Sequence, residues 1–226
     1  MKKTEELLEA VKEGNLEKVT ELLDAGVNIN RKNKKGWTAL RLACERRHLE
    51  IMKLLLDRKA NPNTMDLLHT LIFNKPFWSV TERHTEAVKL LLDHGCNPNV
   101  KYLKYSVLRW ATIEGYTEVV KLLLEYGGKY SGKDKYGYTP FLSAVIHERI
   151  DDIKVFLEHG VDPNIKNKKC HNYTPLHYVA KFGSKELIKL LLEYGADKEN
   201  KCSFNNSTPL MIAMDYDNTE AINLLS

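Results

Sequence analysis

The apolar positions of this chain fall into short helical rhythms rather than alternating strands or one long run. In EVVKLLLEYG, from Glu118, Val120, Leu123 and Leu124 recur at i, i+3, i+4, the stripe of an amphipathic helix. A shorter apolar segment precedes each such stripe and is opened by a hydroxyl residue at Thr38, Ser106, Thr139, Thr174 or Thr208. That hydroxyl can cap a helix by accepting a backbone N–H bond. Pro140, Pro175 and Pro209, one position later, cost nothing because first-turn N–H groups have no helical partner. The stripes end at glycines such as Gly127, Gly160 and Gly195, suited to the left-handed conformation that closes a helix. The predicted unit is two short antiparallel helices joined by a turn.

This unit repeats. YTPLHYVAKFGSKELIKLLLEYGADKEN, residues 173–200, is matched in step by YTPFLSAVIHERIDDIKVFLEHGVDPN from Tyr138, WTALRLACERRHLEIMKLLLDRKANPN from Trp37 and YSVLRWATIEGYTEVVKLLLEYGGK from Tyr105. Equivalents of the first Thr stand at Glu5, Thr38, Asp66, Ser106, Thr139, Thr174 and Thr208, at intervals of 33, 28, 40, 33, 35 and 34 residues. Helices of about ten residues do not persist alone in water. Stacking is therefore obligatory, and each buried Leu contributes roughly 1.5–3 kcal/mol.

The order T-P-L-H-x-A, then E-[IV]-V-x-L-L-L, then G-A-D-x-N resembles the ankyrin repeat along the whole chain. The resemblance implies an all-α solenoid of L-shaped helix-turn-helix units whose connectors project as β-hairpin fingers. It also implies a concave surface, lined by finger tips and first helices, that serves as the usual partner site. In such repeats the TPLH histidine braces its turn through backbone groups. It is kept at His177, with His69 the nearest equivalent; Arg41, Arg109, Leu142 and Met211 depart from it, so those turns are expected to lack the brace.

The expectation is one domain, 1–226, of seven repeats at about 1–30, 31–63, 64–99, 100–130, 131–165, 166–200 and 201–226. The first carries charges where inner repeats carry TPLH, as a cap facing water would. The last stops at AINLLS, either a half-cap or a chain that continues.

The third unit is irregular. Asp66 to Glu86 spans 20 residues, eight more than elsewhere, and the gap before Asp66 is five short. Leu67 to Phe73 reads as the first helix, ended by Pro76, and Ser79-Val80-Thr81-Glu82 as a capping box that starts the second helix early. Phe77 and Trp78 are either tucked under the longer loop or form a second contact patch. Trp110, inside a first helix, is expected in the core.

Composition adds limits. Apolar residues make up 43% and charged residues 28%, the balance of a folded soluble chain. No apolar run approaches the roughly 20 residues of a membrane span, and MKKTEELLEAVKEGN lacks a secretory leader's apolar stretch. A cytoplasmic location follows as the expectation, the host cytoplasm if the array is an effector. Cys44, Cys96, Cys170 and Cys202 are scattered and read as reduced structural thiols. The eight histidines are dispersed, and Asp151-Asp152 suits the positive end of a helix dipole. No catalytic, cofactor or metal site is expected.

What remains informative lies at positions that vary between repeats. Trp37, Met65, Tyr105, Tyr138 and Tyr173 immediately precede the Thr marker or its equivalent; Tyr102, Tyr136 and Phe204 lie in the fingers. Lysines crowd the same loops in RKNKK (31–35), KYLKY (101–105), KYSGKDK (129–135) and KNKK (166–169), with Lys34, Lys104 and Lys133 as representatives. An aromatic row beside a basic stripe favours another protein or an acidic peptide as partner. Packing of the turns and solvated loops explain the same residues equally well. The function expected is a non-catalytic, monomeric protein-binding module; the alternative is a substrate-recruiting adaptor or host-directed array attached to further domains. Nucleic acid ranks lower because arginine is scarce in these loops.

Overall fold

The computed structural model describes residues 2–64, 67–73, 82–102 and 105–226, without the side chains of Phe73, Glu82, Arg83 and Tyr102. Expectations placed on Met65, Asp66, Pro76, Phe77, Trp78, the capping box at 79–82, Lys104 and the Tyr102 side chain fall outside the described residues. The chain forms two compact units, Met1–Leu103 and Lys104–Ser226. The first holds α1 (Lys2–Glu13), α2 (Leu16–Asp24), α3 (Ala39–Arg46), α4 (Leu49–Asp57), α5 (Leu67–Phe73), α6 (Glu82–Asp93) and the strand β1 (Lys101–Tyr102). The second holds β2 (Tyr105–Ser106), α7 (Val107–Glu114), α8 (Thr117–Glu125), α9 (Pro140–Ile146), α10 (Ile150–Glu158), α11 (Pro175–Phe182), α12 (Lys185–Glu193), α13 (Pro209–Asp215) and α14 (Thr219–Leu225). Among the described residues the helices form seven pairs.

Many of the helices begin at a side-chain cap, though α4, α8 and α10 start without one. Thr38, Ser106, Thr139 and Thr208 accept from the backbone N–H three residues on, at 3.3, 3.2, 3.2 and 3.4 Å. Asn15, Ser184 and Asn218 cap α2, α12 and α14 in the same way. After the second helices, Gly127, Gly160 and Gly195 take φ of 83°, 76° and 85°, the left-handed region that other residues enter at a cost.

First helices pack on first helices and second on second. In the first unit α3 touches α1 and α5, while α4 touches α2 and α6. In the second unit α9 lies between α7 and α11, α11 packs on α13, and α10 and α12 pack on α8 and α14 respectively. Ala43, Ala111, Ala144, Ala180 and Ala213 are fully buried and allow this close approach. Leu55, Leu123, Phe156 and Leu191 fill the space between paired helices.

Connectors are tied by asparagines. Asn30 and Asn63 Oδ1 accept from Asn61 and Asn97 N–H, both at 2.8 Å, and Asn63 Nδ2 donates to Gly95 O at 3.0 Å. In the second unit Asn164 accepts from Asp197 N–H at 2.8 Å and donates to Gly195 O at 3.0 Å. The side chain at the end of one repeat thus satisfies backbone groups of the next.

Two residues depart from expectation. Trp110 is only half-buried, standing edge-on to Tyr105 with ring centroids 5.3 Å apart, whereas Leu42 and Ser143 at the same repeat position are buried; a ring this large is seldom covered completely. Asp152 occupies the place of Ile51, Val119 and Leu187 in other repeats and is fully buried, and among the described residues neither carboxyl oxygen has a partner within strict hydrogen-bond geometry. Burial pushes its carboxyl above the ordinary range, against the pull of Thr117 and Arg149. A helix start alone therefore does not account for it. Asp152→Val should raise stability by about 1 kcal/mol or more, since an apolar replacement removes an uncompensated buried acid. A thermal melt that falls, or stays level with the wild type, would contradict this.

Candidate functional site

The fingers are closed by short polar side chains. Asp134 N–H donates to Tyr138 O at 3.0 Å, while its Oδ1 accepts from the N–H groups of Tyr136 and Tyr138, both at 2.8 Å. Asn33 makes the same pattern, with Oδ1 accepting from Lys35 and Trp37 N–H at 2.9 Å each. Asn167 begins a longer finger, and its Nδ2 donates to Tyr136 O at 3.2 Å and to the Tyr178 hydroxyl at 3.0 Å. Its carbonyl oxygen lies where a side chain at Gly137 would stand, and Gly137 also has φ 84°, so this position accepts only glycine. Asx turns of this kind hold the finger shape locally.

Ring contacts follow from that geometry. Tyr136 and Tyr138 lie 6.5 Å apart, Tyr138 and Tyr178 6.0 Å, Tyr178 and Tyr173 5.5 Å, Tyr173 and His171 6.2 Å, and His171 and Phe204 5.2 Å. Six rings thus run across three consecutive fingers. Tyr178, which links Tyr138 to Tyr173, is not singled out by the repeat spacing, because its position holds buried Leu42, Ser143 and Ile212 in other repeats. Burial raises the Tyr173 and Tyr178 phenols, which keeps both as neutral hydroxyls. Tyr136 and Phe204 are 57% and 52% exposed, whereas Tyr105, Tyr138 and Tyr173 are half-buried.

A groove of about 290 Å³ opens beside this run, between α9 and α11. Around the fingers Lys133, Lys135, Lys166, Lys168 and Lys169 are exposed, and among the described residues none has a carboxylate within ion-pair distance. In the first unit Trp37 is half-buried, with Lys35 Nζ 5.5 Å and Arg41 Cζ 5.2 Å from its ring. It borders a groove of about 540 Å³ that holds Lys34 but also Glu5, Glu9 and Glu45, so charge there is mixed. Among the described residues no group of three or more His, Cys, Asp and Glu is placed to hold a metal ion, and no helix is long and apolar enough to cross a membrane.

The family profile described as ankyrin repeats matches in three copies, at residues 7–102, 77–167 and 166–226. The chain belongs to the ankyrin-repeat family. The ankyrin repeat domain of Bcl-3, described as a unique member of the IkappaB family, superposes with TM-score 0.70 at 25% identity, covering 94% of this chain and 97% of that one. The human ASB11 ankyrin repeat domain gives 0.60 at 24% identity over 97% of each, a likeness of fold. In sequence, 92 residues are 34% identical to transient receptor potential cation channel subfamily A member 1 of Homo sapiens, covering 41% of this chain and 8% of that protein. An ankyrin repeat protein of Acanthamoeba polyphaga mimivirus is 28% identical over 100 residues, 43% of this chain and 60% of that one. The match thus spans less than two thirds of the length of both relatives.

Within this ankyrin-repeat frame, His177 braces its turn as the family pattern implies. Its Nδ1 accepts from Thr174 N–H at 3.2 Å and lies 2.7 Å from Thr174 Oγ1, which leaves the Nε2 proton for Ser207 O at 3.1 Å. The expectation that the turn at Arg109 lacks a brace is corrected. Arg109 donates from Nη1 to Tyr138 O at 2.7 Å and from Nη2 to Asp134 Oδ2 at 2.8 Å, and its guanidinium lies 4.9 Å from the Tyr105 ring centre. A longer cationic side chain from the same helix position reaches the next finger as the imidazole does.

Both braces can be tested. The Arg109 and Asp134 side chains are only 10% and 3% exposed, so Arg109→Ala leaves a buried carboxylate behind and should cost about 3–5 kcal/mol in denaturant unfolding. A cost under 1 kcal/mol would show that the pair does not hold the finger. Burial holds the His177 imidazole below its ordinary value of 6.5, and its hydrogen bonds require the neutral ring. The unfolded chain then binds a proton before the folded one, so the His177 contribution is complete above pH 6.5 and declines as the pH falls below it. His177→Gln should flatten the dependence of the melting temperature on pH between about 6.5 and 5, a range set by the ordinary imidazole value.

Proposed function

We propose that this ankyrin-repeat chain binds an acidic segment of another protein and performs no catalysis of its own. The contact surface is the face built by the first helices and fingers of the second unit. The observation that carries this is the six-ring run from Tyr136 to Phe204, bordered by five exposed lysines without carboxylate partners among the described residues. Rigid aromatic surface with polar edges supplies contact area at low entropic cost, and surplus positive charge steers an acidic partner. Fingers already fixed by Asp134, Asn167 and Arg109 avoid part of the ordering cost of association. Tyr105, Tyr136, Tyr138, Tyr173 and Lys133 are assigned to this contact, with Trp37 and Lys34 as a separate contact on the first unit. Tyr102, Lys104, Phe77 and Trp78 belong to the proposal from sequence alone.

A second reading makes the array a recruiting module within a longer protein. The channel relative, in which the match occupies 8% of the length, favours it. The two readings share the same binding face.

Selection of random dodecapeptides displayed on phage against the intact chain should enrich acidic sequences. Replacing Lys133, Lys135 and Lys168 together by Glu should then weaken the selected peptides at least tenfold, about 1.4 kcal/mol. Enrichment of neutral or basic peptides, or tighter salt-sensitive binding of an oligothymidylate probe, would overturn the proposal.

A further inference from the structure

We infer that the groove between α9 and α11 receives one bulky apolar side chain of the partner, while an adjacent partner carboxylate meets Lys181. This rests on the protein-binding reading above and specifies the partner as a linear acidic segment with an apolar anchor.

The groove is built for such a residue. Its floor is Val145 and Val179, each 2% exposed, and one wall is formed by Tyr138, Tyr173 and Tyr178 at the finger bases. Its rim carries Ile146 and Phe182, 42% and 70% exposed, which are large apolar side chains left in water. Exposed apolar groups around a concave site whose lining is mainly apolar are what an anchoring side chain uses. The position of Phe182 is exposed in the other repeats too, at Arg46, Glu114, His147 and Tyr216, but the turn that follows α11 differs from theirs. Arg47, Gly115, Glu148 and Asp217 turn with φ of 60°, 74°, 50° and 53°, but Gly183 is extended at φ −77° and ψ 159°. A Cβ on Gly183 would lie 2.6 Å from Val179 Cβ, so this corner and the floor of the groove are closed against each other.

Charge supplies the second half of the inference. The Lys181 ammonium lies 4.6 Å from the Phe182 ring centre and 4.3 Å from that of Tyr216, which themselves meet edge to face at 5.4 Å. No carboxylate is within ion-pair distance of it among the described residues. Two rings thus hold a cation at the groove mouth with its charge unmatched. Glu148 lines the other side and repels a carboxylate there, which sets the direction: partner acids go toward Lys181 and the finger lysines. The ring run continues from the groove through Tyr138 and Tyr173 to those fingers, so an extended peptide can satisfy both ends.

The test uses peptides selected on the intact chain, labelled with fluorescein and measured by anisotropy. They are expected to share a Leu, Met or aromatic residue with Asp or Glu within a few positions. Changing that residue to Ser, or the chain by Ile146→Glu or Phe182→Ala, should each weaken binding at least tenfold, and Lys181→Glu severalfold. Both rim residues are exposed, and unchanged melts would confirm that the variants fold. If selected peptides are acidic but carry no apolar anchor, or bind Ile146→Glu as well as wild type, this inference fails while the protein-binding reading stands. If no peptide is enriched, or oligothymidylate is preferred, both fail.

Discussion

A helix of seven to nine residues cannot hold its own shape in water, and most helices of this chain are no longer than that. Within each unit they survive because their apolar stripes are covered by the paired helix and by the neighbouring pairs. The small residues at Ala43, Ala111, Ala144, Ala180 and Ala213 let that contact be close. Local signals then set the limits: the caps mark where many of the helices start and the left-handed glycines where the second helices stop.

The connectors are held by polar groups instead of core. Asn33, Asp134 and Asn167 fold their finger loops onto themselves, and in two places a side chain from the preceding first helix reaches across to the next finger. Arg109 and His177 perform this second task with different chemistry. The arginine brings a buried ion pair with Asp134, the histidine a neutral ring between two backbone groups. One brace depends on charge being present and the other on its being absent. Fingers of one array thereby respond differently to the same change in pH or salt.

Local signals were legible in the sequence, and signals that depend on reach were not. Thr139, Pro140 and Gly160 announce a helix pair because capping and turn preferences act within a few residues. Arg109 looks like a lost histidine, since its partners lie 25 and 29 residues away and nothing in its own repeat names them. Tyr178 was hidden for a related reason: its position holds buried Leu42, Ser143 and Ile212 in other repeats, and only the longer finger at Asn167 draws its hydroxyl outward. Asp152 passed as a dipole-suited acid because helix position is visible in sequence and burial is not. The grooves beside Trp37 and Tyr178 arise between repeats, so no single repeat contains their outline.

Asn167 has a broader consequence. One amide closes its own finger, grips the carbonyl of the previous one and positions a ring between them, so neighbouring fingers of this unit cannot slide independently. Their separation is inherited from the distance at which helices pack, on the order of 10 Å. On the proposed protein-binding reading, the finger row would act as a ruler: a ligand whose contact groups repeat at that interval would engage successive fingers at once, and one with another interval only a single finger.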